Sequence, residues 1–219
     1  MVCDEHDKIP RAVVAALAAC AALAVAAAGH AAPDSATLIA RLAKPAPASI
    51  AFVEVRFSTL LVEPLVVGGT LVYEGAGSLT RRVETPYRET SSIRSETVRV
   101  EREGEQPRTF ALRRAPELRG LLTGMIGLLT GDASFIGEHF AVTTAGDDQR
   151  WRLHLEPTDR RLEQRLTEIV VAGLAGEPQC FAIRQAQGGA SVMLLGAAAA
   201  APLPTPLALP ELLAHCGAE

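Results

Sequence analysis

Aromatic side chains are few. Six Phe, two Tyr and one Trp make up 4% of 219 residues, so the apolar surface this fold builds is built mainly of aliphatic side chains. Charge of one sign is also missing. The chain carries 21 Lys and Arg against 25 Asp and Glu, a formal net charge of −4, and no global field favours nucleic acid or an anionic membrane. Arg81, Arg82, Arg94, Arg99, Arg102 and Arg108 interleave with acids, which reads as a solvated sheet face and not as a nucleic-acid patch. Beyond the N-terminal run the histidines are His139, His154 and His215, and none stands in a metal-ligand spacing with another His or Cys. Gly75-x-Gly77-Ser78 is not a nucleophile elbow. Asp147-Asp148 reads as a turn. No residue takes a catalytic role, and no cofactor or metal is expected. There is no internal repeat.

What the chain has in excess is alanine near its start. Residues 9–32 read IPRAVVAALAACAALAVAAAGHAA, an apolar run entered past Lys8 and Arg11 and left through small residues. A basic start, an apolar middle and a small-residue exit are the parts of a secretory signal peptide. Gly29-His30-Ala31 places cleavage after Ala31 and the mature chain outside the cytoplasm. Two other readings of the run stay open. Residues 12–28 approach the roughly 20 apolar residues of a membrane anchor, and Leu17-Ala18-Ala19-Cys20 fits a lipobox with Cys20 as the lipidated residue. Of the four cysteines, Cys180 and Cys216 remain after cleavage. In an oxidising compartment they suggest one disulfide, with two buried thiols as the alternative.

The rest divides in two, a body over residues 32–196 and an Ala/Pro-rich tail over 197–219. Asp34-Ser35 can cap a short helix bearing Leu38, Ile39 and Leu42 on one side. The body then alternates with period two, the mark of half-buried antiparallel strands. The spacing predicts about ten strands, at 49–58, 70–74, 79–85, 97–103, 108–113, 140–144, 151–155, 166–174, 180–187 and 191–195, with a hairpin turn at 75–78. In the first, Ala51, Val53, Val55 and Phe57 share a face, opposite Glu54 and Arg56. Residues 116–129, PELRGLLTGMIGLL, break the pattern and predict an apolar helix. Its Gly120, Gly124 and Gly127 each cost up to roughly 1 kcal/mol of helix stability relative to Ala, and also allow close backbone approach. Residues 132–138 predict another short helix, with Gly131-Asp132 as a cap or, alternatively, a contact to a ligand headgroup. Near 210 a last helical turn would carry Cys216. An apolar sheet face needs a cover, and a single strongly curved antiparallel sheet wrapped around these helices supplies one.

The order of several elements carries a resemblance. They are Phe52, Arg56, Leu61, Pro64-Leu65, Gly69-x-Leu71-x-Tyr73, Gly77-Ser78-Leu79-x-Arg81, Pro86, Glu89 and Ile93. Pro116-x-Leu118, Leu128-Leu129-x-Gly131-Asp132, Phe140, Trp151-x-Leu153-x-Leu155-x-Pro157 and Gly173 follow. Over residues 35–195 the chain resembles the LolA/LolB family of periplasmic and outer-membrane lipoprotein carriers, most of all its LolA-related branch. The resemblance implies an α+β, mainly antiparallel fold, an incomplete, half-open β-barrel covered by short helices over an apolar cavity. The implied activity is holding acyl chains of a lipoprotein or other lipid on the way to the outer membrane. Partners would be an inner-membrane donor and an outer-membrane acceptor. The better-known carriers latch the lid with an arginine early in the second hairpin. Here Glu74-Gly75-Ala76-Gly77 stands there and the next arginine is Arg81, so that latch does not transfer.

From the alternation, the expected lining is Val53, Val55, Phe57, Leu71, Tyr73, Trp151, Leu153 and Leu155 on strands. Leu121, Leu122, Met125, Ile126 and Leu129 would roof it from the helix. The chain reads as a monomer. Two other functions fit the same pattern, a non-transporting periplasmic accessory protein on this fold and a lipid hydrolase or transferase.

Overall fold

The computed structural model describes residues 32–75, 77–94 and 96–217. The readings placed on residues 1–31, namely signal peptide, cleavage, Cys20 lipidation and anchor, lie outside the described residues. No helix among the described residues is long and apolar enough to cross a membrane.

Helix α1, Ser35–Arg41, starts where Asp34 accepts a hydrogen bond from the Thr37 amide at 2.9 Å, and it buries Leu38 and Ile39. Strands β1 (Ala48–Phe57), β2 (Leu65–Gly75), β3 (Ser78–Thr85), β4 (Glu89–Arg94), β5 (Thr97–Arg102) and β6 (Arg108–Ala111) form one meander. The turn between β2 and β3 relies on Gly75 and Gly77, whose φ angles of 89° and 70° favour glycine. A 3-10 turn at Leu112–Arg114, helix α2 (Pro116–Thr130) and helix α3 (Ala133–Gly137) then carry the chain to the opposite sheet edge. Gly131 closes α2 at φ 70°, and Asp132 caps α3 through the Phe135 amide. The second meander is β7 (Phe140–Gly146), β8 (Arg150–Pro157), helix α4 (Arg160–Glu163), β9 (Leu166–Leu174), β10 (Glu177–Gln185) and β11 (Ala190–Leu195).

The eleven strands of the described residues form one antiparallel sheet in the order β6-β5-β4-β3-β2-β1-β11-β10-β9-β8-β7. It is not closed into a barrel. β1 and β11 join the two meanders in register, Phe52 opposite Leu195. The α+β, mainly antiparallel class expected from the sequence is the one observed. β4 is a strand the alternation does not reveal, and the expected 108–113 strand stops at Ala111, where the chain tightens into the 3-10 turn.

The sheet is covered on both sides. On its inner face, side chains such as Phe52, Leu71, Phe140, Trp151, Leu153 and Phe181 pack with α1, α2 and α3 in one apolar cluster. On the outer face, Val55, Val170, Ala172, Cys180, Ala182, Val192 and Leu194 form a second cluster with Leu212 and Leu213. The cover there is the tail, which carries helices α5 (Ala197–Ala200) and α6 (Leu209–Cys216). The Ala/Pro stretch is therefore packed structure. Its Leu203, Leu207 and Leu209 lie against the outer cluster.

Cys180 is fully buried and disulfide-bonded. The side chain of Cys216 lies outside the described residues, so its pairing with Cys180 stays an expectation. A digest of the non-reduced protein is expected to yield linked peptides containing Cys180 and Cys216. Closing a loop of about 35 residues contributes roughly 3–4 kcal/mol on the chain-entropy account, so reduction should lower the urea midpoint. Two titratable thiols in the unreduced mature protein would refute the pairing.

Candidate functional site

Helix α2 lies over the inner face because its glycines let it sit close. A Cβ at Gly127 would come within 2.2 Å of Ile136 Cγ1, and one at Gly120 within 3.0 Å of Leu162 Cδ1. These two positions seat α2 on α3 and α4, whereas a Cβ at Gly124 would make only ordinary contact, 3.8 Å from Ile169. The apolar stripe of α2 faces the sheet, with Leu122, Met125 and Leu128 buried.

Two cavities remain between α2 and the sheet. The first, about 240 Å³, lies under the C-terminal half of α2, with Ile50, Tyr73, Leu128, Leu129, Phe181 and Leu195 among its walls. Lys44 and Glu177, which form an ion pair, line the same cavity. The second, about 180 Å³, lies under the N-terminal half of α2 against the first meander, where Ile93, Val98, Phe110, Leu121 and Leu122 line it. The two share Leu71, Leu79 and Met125 as common walls. Together they reach the range of roughly 300–1,000 Å³ usual for small-molecule sites.

One end of the second cavity is polar. Glu54, Arg56, Arg81, Glu89 and Ser91 line it. The Glu54 carboxylate is buried and receives four hydrogen bonds. Arg56 donates from Nε and Nη2, both at 2.9 Å, Arg81 Nη2 donates at 2.6 Å, and the Ser191 hydroxyl donates at 2.6 Å. Burial alone would push this carboxyl up, but the hydrogen bonds and charge of Arg56, the charge of Arg81 and the Ser191 hydroxyl together hold it below the ordinary value. The Arg81 guanidinium also lies 4.8 Å from the Phe52 ring centroid. Beside it, Arg102 donates to Glu89 at 3.0 and 2.7 Å and stacks 4.6 Å over Tyr87.

The expected lining residues separate into three groups. Leu71, Tyr73, Met125 and Leu129 line the first cavity, and Leu71, Leu121, Leu122 and Met125 the second. Trp151, Leu153 and Leu155 are fully buried in the solid part of the inner core and line neither, and Ile126 packs at the edge of that core. Val53, Val55 and Phe57 are a correction. Val55 and Phe57 pack in the outer cluster, and Val53 shares their side of β1. The inner side of β1 carries Ile50, Phe52, Glu54 and Arg56. The apolar side of β1 faces the tail, and the polar side faces the cavity. The Glu54 and Arg81 cluster is what the alternation misses. A usable signal is the unbroken apolar run of β11, ASVMLL, all six residues buried. A strand without alternation has both faces covered, so an apolar face on neighbouring β1 need not be the cavity face.

No group of three or more His, Cys, Asp or Glu side chains among the described residues is placed to hold a metal ion. His139 stacks edge-on with Phe135, and His154 Nδ1 lies 3.8 Å from Glu168. Asp147 is a turn residue, accepting from the Gln149 and Arg150 amides.

Among solved structures the chain is similar to a LolA superfamily protein from Nitrosomonas europaea, at 11% identity and a TM-score of 0.41, over 73% of this chain and 89% of that one. It is similar to LprF from Mycobacterium bovis at 14% identity and a TM-score of 0.33, over 79% of this chain and 92% of that one. No curated protein matches. A family model described as outer membrane lipoprotein carrier protein LolA-like matches residues 26–216, and the chain belongs to that family.

Proposed function

We propose that this protein is a periplasmic carrier that holds the acyl chains of a lipid or lipoprotein in the paired cavities beneath α2, and releases them toward the outer membrane. The observation that carries the reading is the pair of adjoining, largely aliphatic cavities sharing Leu71, Leu79 and Met125. Each methylene moved out of water contributes about 0.8 kcal/mol, so an acyl chain needs such a dry surface to cross an aqueous space. A soluble monomer, delivered by a cleaved signal peptide and passing cargo from an inner-membrane donor to an outer-membrane acceptor, fits this role. Binding would be by burial, with cavity size setting chain length.

Leu129 is half-buried, lines the first cavity and sits near the end of α2. Leu129→Glu puts a charge on the wall at little cost to the core. A fluorescent fatty acid should bind the wild type, and the folded variant is expected to bind at least about tenfold more weakly, since desolvating an unpaired carboxylate costs well over 1.4 kcal/mol. Wild type that takes up no acyl probe would leave the accessory-protein reading in its place.

A further inference from the structure

A cavity that served only aliphatic chains would gain nothing from a buried charge cluster, yet the second cavity ends in one. Its lining charges are Glu54, Arg56, Arg81 and Glu89, with Arg102 bound to Glu89 from behind. Two arginines balance two glutamates along the wall, and Arg102 is matched by Glu89 and Glu105, so what the wall offers a ligand is unused hydrogen-bond donors. Of these partners Arg81 is the least committed. A guanidinium has five N–H donors, and one hydrogen bond of Arg81, from Nη2 to Glu54, is made to a side chain. No side-chain polar atom fully buried among the described residues lacks a hydrogen bond. The remaining donors of Arg81 therefore keep some exposure, and this side chain, 15% exposed, is part of the cavity wall. Its position is fixed by the Phe52 ring beneath it and by the carboxylate beside it. Ser91 pairs with Arg81 across β3 and β4 and lines the same end.

We propose that this end of the second cavity is a headgroup site, and that the cargo is an acyl lipid with an anionic head, a carboxylate or a phosphate, which Arg81 and Arg56 receive while the chain lies along Leu71, Leu79 and Met125. The inference rests on the carrier reading and adds the chemistry of the cargo's polar end. Glu54 acts here as a positioning residue. It stays ionised, holds both guanidiniums in place, and leaves the spare N–H donors of Arg81 to the ligand. A planar guanidinium matches carboxylate and phosphate oxygens geometrically. A cationic head would meet two arginines, and a neutral head would leave their donors unpaired.

Four probes of one chain length separate these cases: dodecanoate, dodecyl phosphate, dodecanol and dodecyltrimethylammonium. Each competes below its micelle concentration with an uncharged fluorescent probe bound to the full protein. A charge-assisted hydrogen bond contributes about 1.5–3 kcal/mol, so at least one anionic probe is expected to displace at a roughly tenfold or lower concentration than dodecanol. Added salt should narrow the gap. Preference for dodecanoate alone assigns a free fatty acid, and preference for dodecyl phosphate alone assigns a phospholipid-type head. Arg81→Gln should abolish the preference, read within the variant as the ratio of anionic-probe to dodecanol displacement, and Arg81→Lys should restore part of it. Equal displacement by all four overturns the headgroup site and leaves the carrier reading standing. A preference that survives Arg81→Gln overturns it too. Displacement by none overturns both readings. The wild-type comparison decides the question even if a variant does not fold.

Discussion

Trp151→Ala is expected to lower the unfolding free energy by about 3–5 kcal/mol, the range for removing a buried Trp or Phe. Trp151 is completely buried, and its indole Nε1 donates to the Ala175 carbonyl at 2.6 Å. Its ring occupies the space that glycine leaves at position 173, directly opposite on β9. A Cβ there would come within 2.2 Å of Trp151 Cζ2 and 2.6 Å of the Glu177 carbonyl oxygen. Gly173→Ala is therefore expected to destabilise by overpacking, typically about 1–3 kcal/mol. The two changes should not add, because Trp151→Ala empties the space the new methyl needs. Urea unfolding followed by circular dichroism measures all three variants, since this is the only tryptophan of the chain. A loss below about 1 kcal/mol for Trp151→Ala, the average for any point change, would show that the Trp151–Gly173 fit does not hold the second meander together.

Glu54→Ala comes next in size. It leaves Arg56 and Arg81 without the carboxylate between them, and the Ser191 hydroxyl without its acceptor. Breaking a buried ion pair from one side costs about 3–5 kcal/mol. Arg56 is 39% exposed and can turn toward water, so the lower end, about 3 kcal/mol, is expected, with a fall in Tm on the order of 10 °C. Replacing the whole cluster with Glu54→Leu, Arg56→Met and Arg81→Met should recover most of that loss, because no charge is then left unpaired. The same carboxylate sets a pH dependence. Its folded pKa is depressed, so its contribution is fully present above the ordinary carboxylate range and is lost as pH falls through the lowered folded value. The wild type should lose stability along that acid limb, and Glu54→Ala should show a flatter one. Parallel acid limbs in the two proteins would contradict this.

The outer strands and both main helices are legible because burial on one side writes itself into sequence as alternation or helical spacing. β9 matches its expected bounds, residues 166–174, and α2 runs one residue past its expectation. The failures gather at the site. β4 reads ETSSIR, and its inner positions include Glu89 and Ser91, which line the polar end of the second cavity. A strand whose inward residues are polar shows no apolar stripe. β1 misleads for the same reason in reverse. Its inward Glu54 and Arg56 look solvated, while its outward Val55 and Phe57 look like lining, until the tail is seen to cover them. Sequence cannot separate a core wall from a cavity wall either. Leu153 and Leu71 have the same pattern, and the depth at which α2 seats on Ile136 and Leu162 decides which of them faces empty space.

Among the described residues β1 is the first strand in chain order and β11 the last, yet they are neighbours at the centre of the sheet. Each meander can zip up from its own hairpins, where contacts are local and closure is fast, but the β1–β11 seam must wait until β11 has been made. Until it closes, β1 and β11 each present an open row of backbone donors and acceptors, the kind of edge that pairs with another molecule. The edges open to such pairing before closure therefore lie at the middle of the sheet, and the speed of seam closure sets how long that exposure lasts.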